Sequence, residues 1–297
     1  MVESRGAKAL EHGKQYVYSN ARLLDRMRFA YHFENGSSED VLSALRPYQN
    51  VDGGFGHALE PDMRCPNSQP VATETALHII REVNGFGSDM VDGVLRYLEG
   101  NTVTGGGLPR ATVEVNGYPH SPWWRTERDG EPSLNPTGSI IGMLLEQRER
   151  IDFLAETWFQ SHISFLWRCL DHGLPTDYHD AMQWIAFLEH VPDQERAAKY
   201  QEMLNEWLNG PSGIEKDPDA TGYVHKVLDY APTPGSYASR FVSEQELALH
   251  LDWLLNSQQE DGGWPLTFPA LSPAVEQEWR GWLTVANLKT LKAYGCL

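Results

Sequence analysis

A short motif that occurs twice, near opposite ends of the 297-residue chain, constrains the fold more than any other sequence feature. Residues 49–55 and 258–264 both read Gln, three residues, Gly-Gly and an aromatic residue, with Asp directly before the glycines. Each copy follows a segment with helical periodicity. Because self-similarity of this kind is typical of solenoids and closed helical rings, we predict a fold built from repeated helical units.

Three weaker copies lie between the strong ones, each with a glycine and an apolar residue at the end of a helical segment. They are Gly107-Leu108, Gly173-Leu174 and Gly213-Ile214. A glycine at this place suits the left-handed stop of a helix. Successive turns are roughly 40 to 66 residues apart, which leaves room for two helices and two loops in each unit.

The 3.6-residue periodicity of apolar side chains predicts two sets of helices. The set that precedes the turns covers 37–48, 88–99, 152–171, 193–209 and 243–257. The set that follows them covers 70–83, 136–147, 178–191, 220–229 and 279–294. One further helix is predicted near 16–33. Since no run of alternating strand residues occurs, the predicted class is all-α.

Such helical pairs bury their apolar faces only by stacking on neighbours. The strongest copies lie near both chain ends, which is compatible with a ring closed by the last pair meeting the first. We therefore expect one domain, 1–297, folded as a single α/α toroid of about five to six helical hairpins. An open solenoid is the alternative. The Gly-, Pro- and charge-rich insertion 109–135 is predicted to act as a lid.

The amino-acid composition limits the classes of partner that can be expected. The net charge of −17 would repel a phosphate backbone, so no nucleic acid partner is expected. No run of about 18 apolar residues occurs, so no membrane span is expected. Three widely spaced cysteines indicate free thiols in a reducing compartment. With no apolar leader at the N-terminus, we expect a cytoplasmic protein. The oligomeric state stays open.

Residues 253–264 resemble the QW motif of squalene-hopene cyclases, within the terpenoid cyclase and protein prenyltransferase superfamily. Trp253 and Leu254 are followed by three positions, Gln258, a spacer and Gly262-Gly263-Trp264. Residues 45–55 form a looser copy with Phe55 in place of Trp. The resemblance implies an α/α barrel of inner and outer helices around a central cavity. It also implies structural roles for Gln49, Phe55, Gln258 and Trp264.

Known active sites of this superfamily are only partly matched. Class II cyclases protonate their substrate with an Asp-x-Asp-Asp-Thr box, and the nearest match, 217–221, reads Asp-Pro-Asp-Ala-Thr. The missing final Asp puts a protonating role of Asp219 in doubt. Neither an Asp-rich metal box nor the prenyltransferase zinc triad is identifiable. Because no HxH or HExxH spacing occurs either, neither a metal nor another cofactor is predicted.

Chemistry-bearing side chains concentrate after the glycine turns, where loops of a toroid converge on one mouth of the cavity. Carboxylates close together, with a histidine nearby, suit general acid–base work. The candidate catalytic residues are His57, Glu60, Asp62, Asp217 and Asp219. Aromatic side chains could stabilise a carbocation or stack on a sugar. The candidate substrate-binding residues are Arg110, Tyr118, Trp123, Trp124, Tyr178, His179 and Asp180.

Several of these residues also have a structural interpretation. Asp177 suits an N-cap, Asp217 and Asp219 suit a Pro-centred turn, and Glu60-Pro61-Asp62 suits a loop anchor. The leading hypothesis is a terpenoid-cyclase-like enzyme that binds a small molecule and performs acid-initiated cyclisation or isomerisation of an isoprenoid or similar apolar substrate. One alternative is a carbohydrate-active hydrolase or lyase with paired carboxylates. The other is a non-catalytic toroid that binds a ligand or peptide.

Overall fold

The protein is all-helical, as predicted. The computed structural model describes residues 2–149 and 153–297, and this part contains twelve α-helices, four short 3-10 helices and no β-strand. The α-helices are α1 Val2–Asn20, α2 Leu23–Phe33, α3 Ser38–Leu45, α4 Pro70–Glu82, α5 Asp89–Gly100, α6 Leu134–Glu146, α7 Thr157–Asp171, α8 Tyr178–His190, α9 Gln194–Leu208, α10 Val227–Tyr230, α11 Glu244–Asn256 and α12 Pro273–Ala293.

Two predicted helices differ from the structure. The segment 16–33 is divided between α1 and α2, with the break at Arg22, whose backbone is extended. No glycine or proline lies at this break. The buried Ala21 is close to α12, since a Cβ built on Gly281 would lie 2.8 Å from the Cβ of Ala21. The predicted helix 220–229 shrinks to the four-residue α10, because Gly222 has a φ of 93° in a loop. The predicted helix 152–171 begins later than predicted, at Thr157, and its residue 152 lies outside the described residues.

The chain divides into two compact units. Unit 1 comprises Met1–Ala44 and Leu208–Leu297, and unit 2 comprises Leu45–Trp207. In unit 1, α12 packs against both α1 and α2. Its core includes Val17 of α1, Phe29 of α2, Leu288 of α12 and the motif residue Trp264. The prediction of one domain over the whole chain stays a prediction.

In unit 2, α6 lies between α4 and α8. The side chains from Pro136 to Leu145 are all buried. Two glycines of α6 allow α8 to approach closely: a Cβ on Gly142 would lie 2.2 Å from the carbonyl oxygen of Ala186, and one on Gly138 2.8 Å from the Cβ of Gln183. The helices that follow the glycine turns, α4, α6 and α8, thus lie side by side.

Three of the glycine turns have the same geometry. Gly53, Gly106 and Gly262 have φ angles of 91°, 95° and 89°, in the left-handed region that favours glycine. A Cβ at these positions would meet the backbone of a neighbouring helix: Gly93 oxygen of α5 at 2.0 Å, Ser161 oxygen of α7 at 2.0 Å and His12 oxygen of α1 at 2.2 Å. Each turn therefore packs directly on the backbone of another helix.

The same turns bond to the helix that follows each of them. In every case the backbone N–H of the residue after the glycines donates to a threonine hydroxyl. The pairs are Phe55 with Thr73 at 3.1 Å, Leu108 with Thr137 at 3.0 Å and Trp264 with Thr284 at 3.3 Å. The repeat seen in the sequence is thus a repeat of hydrogen bonds.

The two motif glutamines brace the turns, as the resemblance implied. Gln258 Nε2 donates to the carbonyl oxygens of Gly262 and of Ala9 in α1, both at 2.9 Å. Gln49 Nε2 donates in the same way to Gly53 and to Met90 in α5, again at 2.9 Å. Gln49 therefore joins the end of α3 to α5, and Gln258 joins the end of α11 to α1.

Replacing Gln258 with alanine is expected to lower the free energy of unfolding by about 1–3 kcal/mol, since two carbonyl oxygens lose their donor. Chemical denaturation followed by circular dichroism measures this change. The matched control is Gln259→Ala, because Gln259 is exposed and its side chain bonds only to Ser257 oxygen, at 3.2 Å. Equal effects of the two substitutions would contradict the bracing role.

Candidate functional site

Helix α4 carries one accessible polar stripe. Most of its side chains are buried, but Glu74, Thr75 and His78 are not. The side chain of Glu74 is 12% exposed, so its carboxylate is shielded yet reachable, whereas His78 is 47% exposed. Positions one turn apart share a helix face, and this face of α4 is therefore polar.

A buried glutamine of α8 joins this stripe to α6. Gln183 Nε2 donates to Glu74 Oε1 at 3.0 Å, and its Oε1 accepts the backbone N–H of Ser139 at 2.5 Å. The hydroxyl of Ser139 lies 3.1 Å from His78 Nε2. Since Gln183 is only 4% exposed, these bonds hold the Glu74 carboxylate in one position.

His179 lies one helical turn before Gln183 and close to the same carboxylate. Burial lowers its pKa, and Arg110 lowers it further, while the charges of Asp177 and Glu74 act in the opposite direction. The ring is therefore neutral at neutral pH and can accept a proton. We call Glu74, His78, Ser139, His179 and Gln183 the Glu74 cluster.

Two acidic residues near His179 form hydrogen bonds at the start of α8. Asp177 is the N-cap, as predicted, and its Oδ1 accepts the backbone N–H of Asp180 at 3.0 Å. Asp180 Oδ2 in turn accepts the backbone N–H and the hydroxyl of Thr176, at 3.1 and 2.5 Å. The substrate-binding role predicted for Asp180 is untested; its carboxylate is part of the cap. The ring of Tyr178 lies 5.3 Å from that of His179.

Arg110 approaches the cluster from the insertion 109–135. Its guanidinium lies 4.8 Å from the centroid of the Trp124 ring, within cation–π range. The Nε of Arg110 is buried and has no hydrogen-bond partner. Within the described part of the chain, no carboxylate forms an ion pair with this arginine.

Asp62 holds Trp124 in place. Its Oδ1 accepts the indole N–H of Trp124 at 2.6 Å, and the side chains of Ser121 and Trp123 also donate to it. The carboxylate is 2% exposed, and burial raises its pKa. Asp62 was predicted to be catalytic. Its contacts are those of the alternative, a loop anchor.

The insertion is folded on the loop that precedes α4. Ser121 N donates to Asp62 oxygen at 2.9 Å, and Arg64 N donates to Pro119 oxygen at 2.9 Å. Beneath these bonds lies a small apolar core made of Met63, Cys65, Val71, Ala111, Val115 and Trp124. Tyr118 and Trp123 are each 40% exposed on this insertion. Whether the insertion acts as a lid stays a prediction.

Glu60 lies beside the Glu74 cluster, whereas His57 belongs to the first turn. Glu60 is 9% exposed, and its Oε2 accepts the hydroxyl of Thr75 at 3.1 Å. The exposed His57, with a φ of 55°, has its Nε2 2.9 Å from Asn50 Oδ1. The local contact of His57 is therefore structural.

Asp217 and Asp219 lie in unit 1, whereas the candidate residues described above lie in unit 2. Asp217 Oδ1 accepts the backbone N–H of Asp219 at 2.9 Å, and Glu215 Oε1 accepts that of Asp217 at 2.8 Å. Both aspartates are exposed. These contacts match the predicted Pro-centred turn, and the protonating role stays a prediction.

The sequence analysis did not identify Glu74, His78, Ser139 and Gln183, because it concentrated on loops. A signal was present: Glu74 and Gln183 are polar residues within apolar helices. Such a residue in a buried stretch needs a partner. In the described residues, no group of three or more His, Cys, Asp or Glu side chains is arranged to hold a metal ion. No described helix has the length and apolar character needed to cross a bilayer.

No protein-family model matches the chain, and no curated protein matches it. A crystal structure of a protein from Actinoplanes is similar in fold, with a TM-score of 0.58 and 14% sequence identity. The match covers 98% of this chain and 99% of the other. At this identity the likeness concerns the fold alone.

Proposed function

We propose that the chain is an α/α toroid and that the Glu74 cluster is the active site of a carbohydrate-active hydrolase or lyase. The toroid is supported by the order of the contacts. The turn after α3 packs on α5, the turn after α5 packs on α7, and the turn after α11 packs on α1. The last turn therefore reaches the first helix, as a closed ring requires, and α12 likewise packs on α2.

The observation that carries the functional proposal is the held, partly accessible carboxylate of Glu74. Gln183 fixes it at 3.0 Å, and it has no arginine or lysine ion-pair partner within the described residues. A positioned carboxylate next to a neutral histidine can take up or deliver a proton. The accessible side chains of α4 at this level, Glu74, Thr75 and His78, are all polar.

A second carboxylate lies nearby. Glu60 bonds to Thr75, the residue that follows Glu74, so both acids lie beside the same turn of α4. Glycoside hydrolysis uses two carboxyl groups, one to protonate the leaving oxygen and one to activate water or attack the sugar. In this proposal, Glu74 and Glu60 fill these roles, and His179 assists in the transfer of the proton.

Aromatic side chains of the insertion and of α8 suit a sugar ring. Tyr118 and Trp123 are exposed on the insertion, and Tyr178 lies next to His179. Sugars present apolar C–H faces that stack on aromatic rings, while their hydroxyl groups hydrogen-bond to amides and carboxylates. The partly accessible carboxylate of Glu74 supplies such a group. The substrate-binding roles predicted for the three aromatic residues are retained in this proposal.

The isoprenoid hypothesis has the support of the scaffold, since the repeated turns have the QW arrangement. Its first candidate acid, Asp219, is exposed in a turn of unit 1. Its second, Glu60, accepts the hydroxyl of Thr75 beside the polar face of α4, and the nearby Asp62 accepts from Trp124. An acid that starts cyclisation must be protonated and free to donate into an apolar cavity. The carbohydrate hypothesis therefore agrees better with the observed contacts.

Replacing Glu74 with glutamine is expected to reduce turnover at least about 100-fold, the usual minimum for loss of a general acid or base. The substitution keeps an oxygen that can accept from Gln183, so the fold is expected to persist. The measurement is release of reducing ends or unsaturated products from a panel of oligosaccharides. Glu99→Gln, on the exposed surface of α5, removes the same charge and serves as the control.

The panel also includes isoprenoid alcohols and diphosphates. Full activity of the Glu74→Gln variant on an oligosaccharide would refute the catalytic role. Binding of an isoprenoid but of no saccharide would favour the cyclisation hypothesis. Saccharide binding without any turnover would favour the non-catalytic toroid.

A further inference from the structure

Arg110 is unusual among the shielded arginines of this acidic protein. Arg28 pairs with Asp25 at 3.1 Å, and Arg280 pairs with Asp261 at 2.7 Å. Arg110, by contrast, has a buried Nε without a hydrogen-bond partner and no ion pair among the described residues. A buried donor left unpaired is destabilising, so such a group calls for an explanation.

Contacts within the protein hold the guanidinium of Arg110 in place. The guanidinium stacks on Trp124, and Trp124 is held by its 2.6 Å bond to the buried Asp62. Stacking on an aromatic ring fixes the plane of a guanidinium while its N–H edge stays available. The two parallel N–H groups of that edge match the two oxygens of a carboxylate.

The charges around Arg110 favour a singly charged ligand. Arg110 and the carboxylates of Glu74, Asp177 and Asp180 all act on His179, so they lie in one neighbourhood. Asp177 and Asp180 are already engaged in the cap of α8. Because these acids would repel a doubly charged phosphate more strongly than a carboxylate, a sugar acid fits better than a sugar phosphate.

We propose that Arg110 forms an oxyanion subsite beside the Glu74 cluster and that the substrate carries a carboxylate there, as uronic acids do. This inference rests on the proposed carbohydrate function and specifies its substrate class. Arg110 binds the carboxylate through the N–H groups of its guanidinium, and the stacked Trp124 holds the guanidinium in register. The sugar ring is then presented to Glu74 and Glu60.

Calorimetric titration of the full chain with D-glucuronate, D-glucose and D-glucose 6-phosphate tests the subsite. The wild-type protein is expected to bind glucuronate at least about tenfold more tightly than glucose. Arg110→Gln is expected to abolish this preference and to leave glucose binding unchanged. Arg125→Gln removes the same charge from an exposed position of the insertion and is expected to keep the preference. Arg110→Lys keeps the charge but loses the two parallel N–H groups, so its preference for glucuronate is expected to lie between those of the wild type and of Arg110→Gln. It replaces the glutamine variant if that variant does not fold.

The outcomes separate this inference from the function on which it rests. Equal binding of glucose and glucuronate, unchanged by Arg110→Gln, would overturn the carboxylate subsite while the carbohydrate function stands. Tighter binding of glucose 6-phosphate than of glucuronate, lost in Arg110→Gln, would overturn the uronate assignment and identify phosphate as the anion. Binding of none of the three sugars would refute the proposed function and the subsite together.

Discussion

Replacing Gly106 with alanine is expected to lower the free energy of unfolding by more than about 3 kcal/mol. Two costs combine at this position. Its φ of 95° is strained for any residue with a Cβ, which costs about 1–2 kcal/mol. The new Cβ would also lie 2.0 Å from the carbonyl oxygen of Ser161, which belongs to the backbone of α7 and cannot rotate away. Urea unfolding measures the loss.

The adjacent glycine supplies the control. Gly105 has a nearly equal φ of 90°, but a Cβ there would find only Arg168 Nη2, at 3.8 Å. Gly105→Ala is therefore expected to cost only the backbone strain, about 1–2 kcal/mol. The difference between the two variants measures the close approach of the turn to α7. Equal destabilisation by both substitutions would show that this contact is unimportant.

Acidification is expected to destabilise the protein through His162. This buried histidine accepts the backbone N–H of Gly107 on Nδ1 at 2.9 Å, and its Nε2 lies 3.0 Å from Thr102 Oγ1. Protonation of Nδ1 would break the first bond. Burial accordingly lowers the pKa of His162 to about 4. In the turn at Gly106 the ring takes the place of the Asp side chains that accept the same N–H in the turns at Gly53 and Gly262.

Because the folded-state pKa lies below the unfolded value, the stabilisation is complete above about pH 6.5 and is lost as the pH falls toward 4. The full difference corresponds to about 3 kcal/mol. Free energies of unfolding between pH 7 and 4.5 measure it. The control is His162→Asn, which can accept from Gly107 but does not titrate. Its curve is expected to start lower and fall less steeply, since the carboxylates and the other histidines contribute to both curves. Parallel curves would refute the role of His162.

The sequence was informative wherever one residue type satisfies a local requirement. Only glycine tolerates the backbone of Gly53 and Gly262, and a glutamine at a set distance reaches the carbonyl of the turn. These requirements recur in both strong copies of the motif, so they were visible as a repeat. The apolar period of 3.6 residues indicated the helices between them. The turn at Gly106 was recognised less clearly, because its Asp is replaced by His162 from a helix more than 50 residues later.

The candidate site was predicted only in part. Arg110, Trp124 and His179 were identified because they follow glycine turns, and the structure brings them together. Glu60 was identified with them and lies against α4. Asp217 and Asp219 were predicted to be catalytic on the basis of an incomplete motif, yet their contacts are those of a local turn.

The sequence by itself determined the helical class and the repeated turns, because these depend on the local preferences of glycine and on amphipathic periodicity. Only the tertiary structure decided which polar groups pair with each other and which have no such partner. Gln183 meets Glu74 across 109 positions of chain, through the glycines that bring α8 close to α6. Asp62 is bonded to Trp124, whereas Arg110 has no carboxylate partner among the described residues. Such pairings depend on three-dimensional packing between distant segments, for which a single sequence contains no local signal.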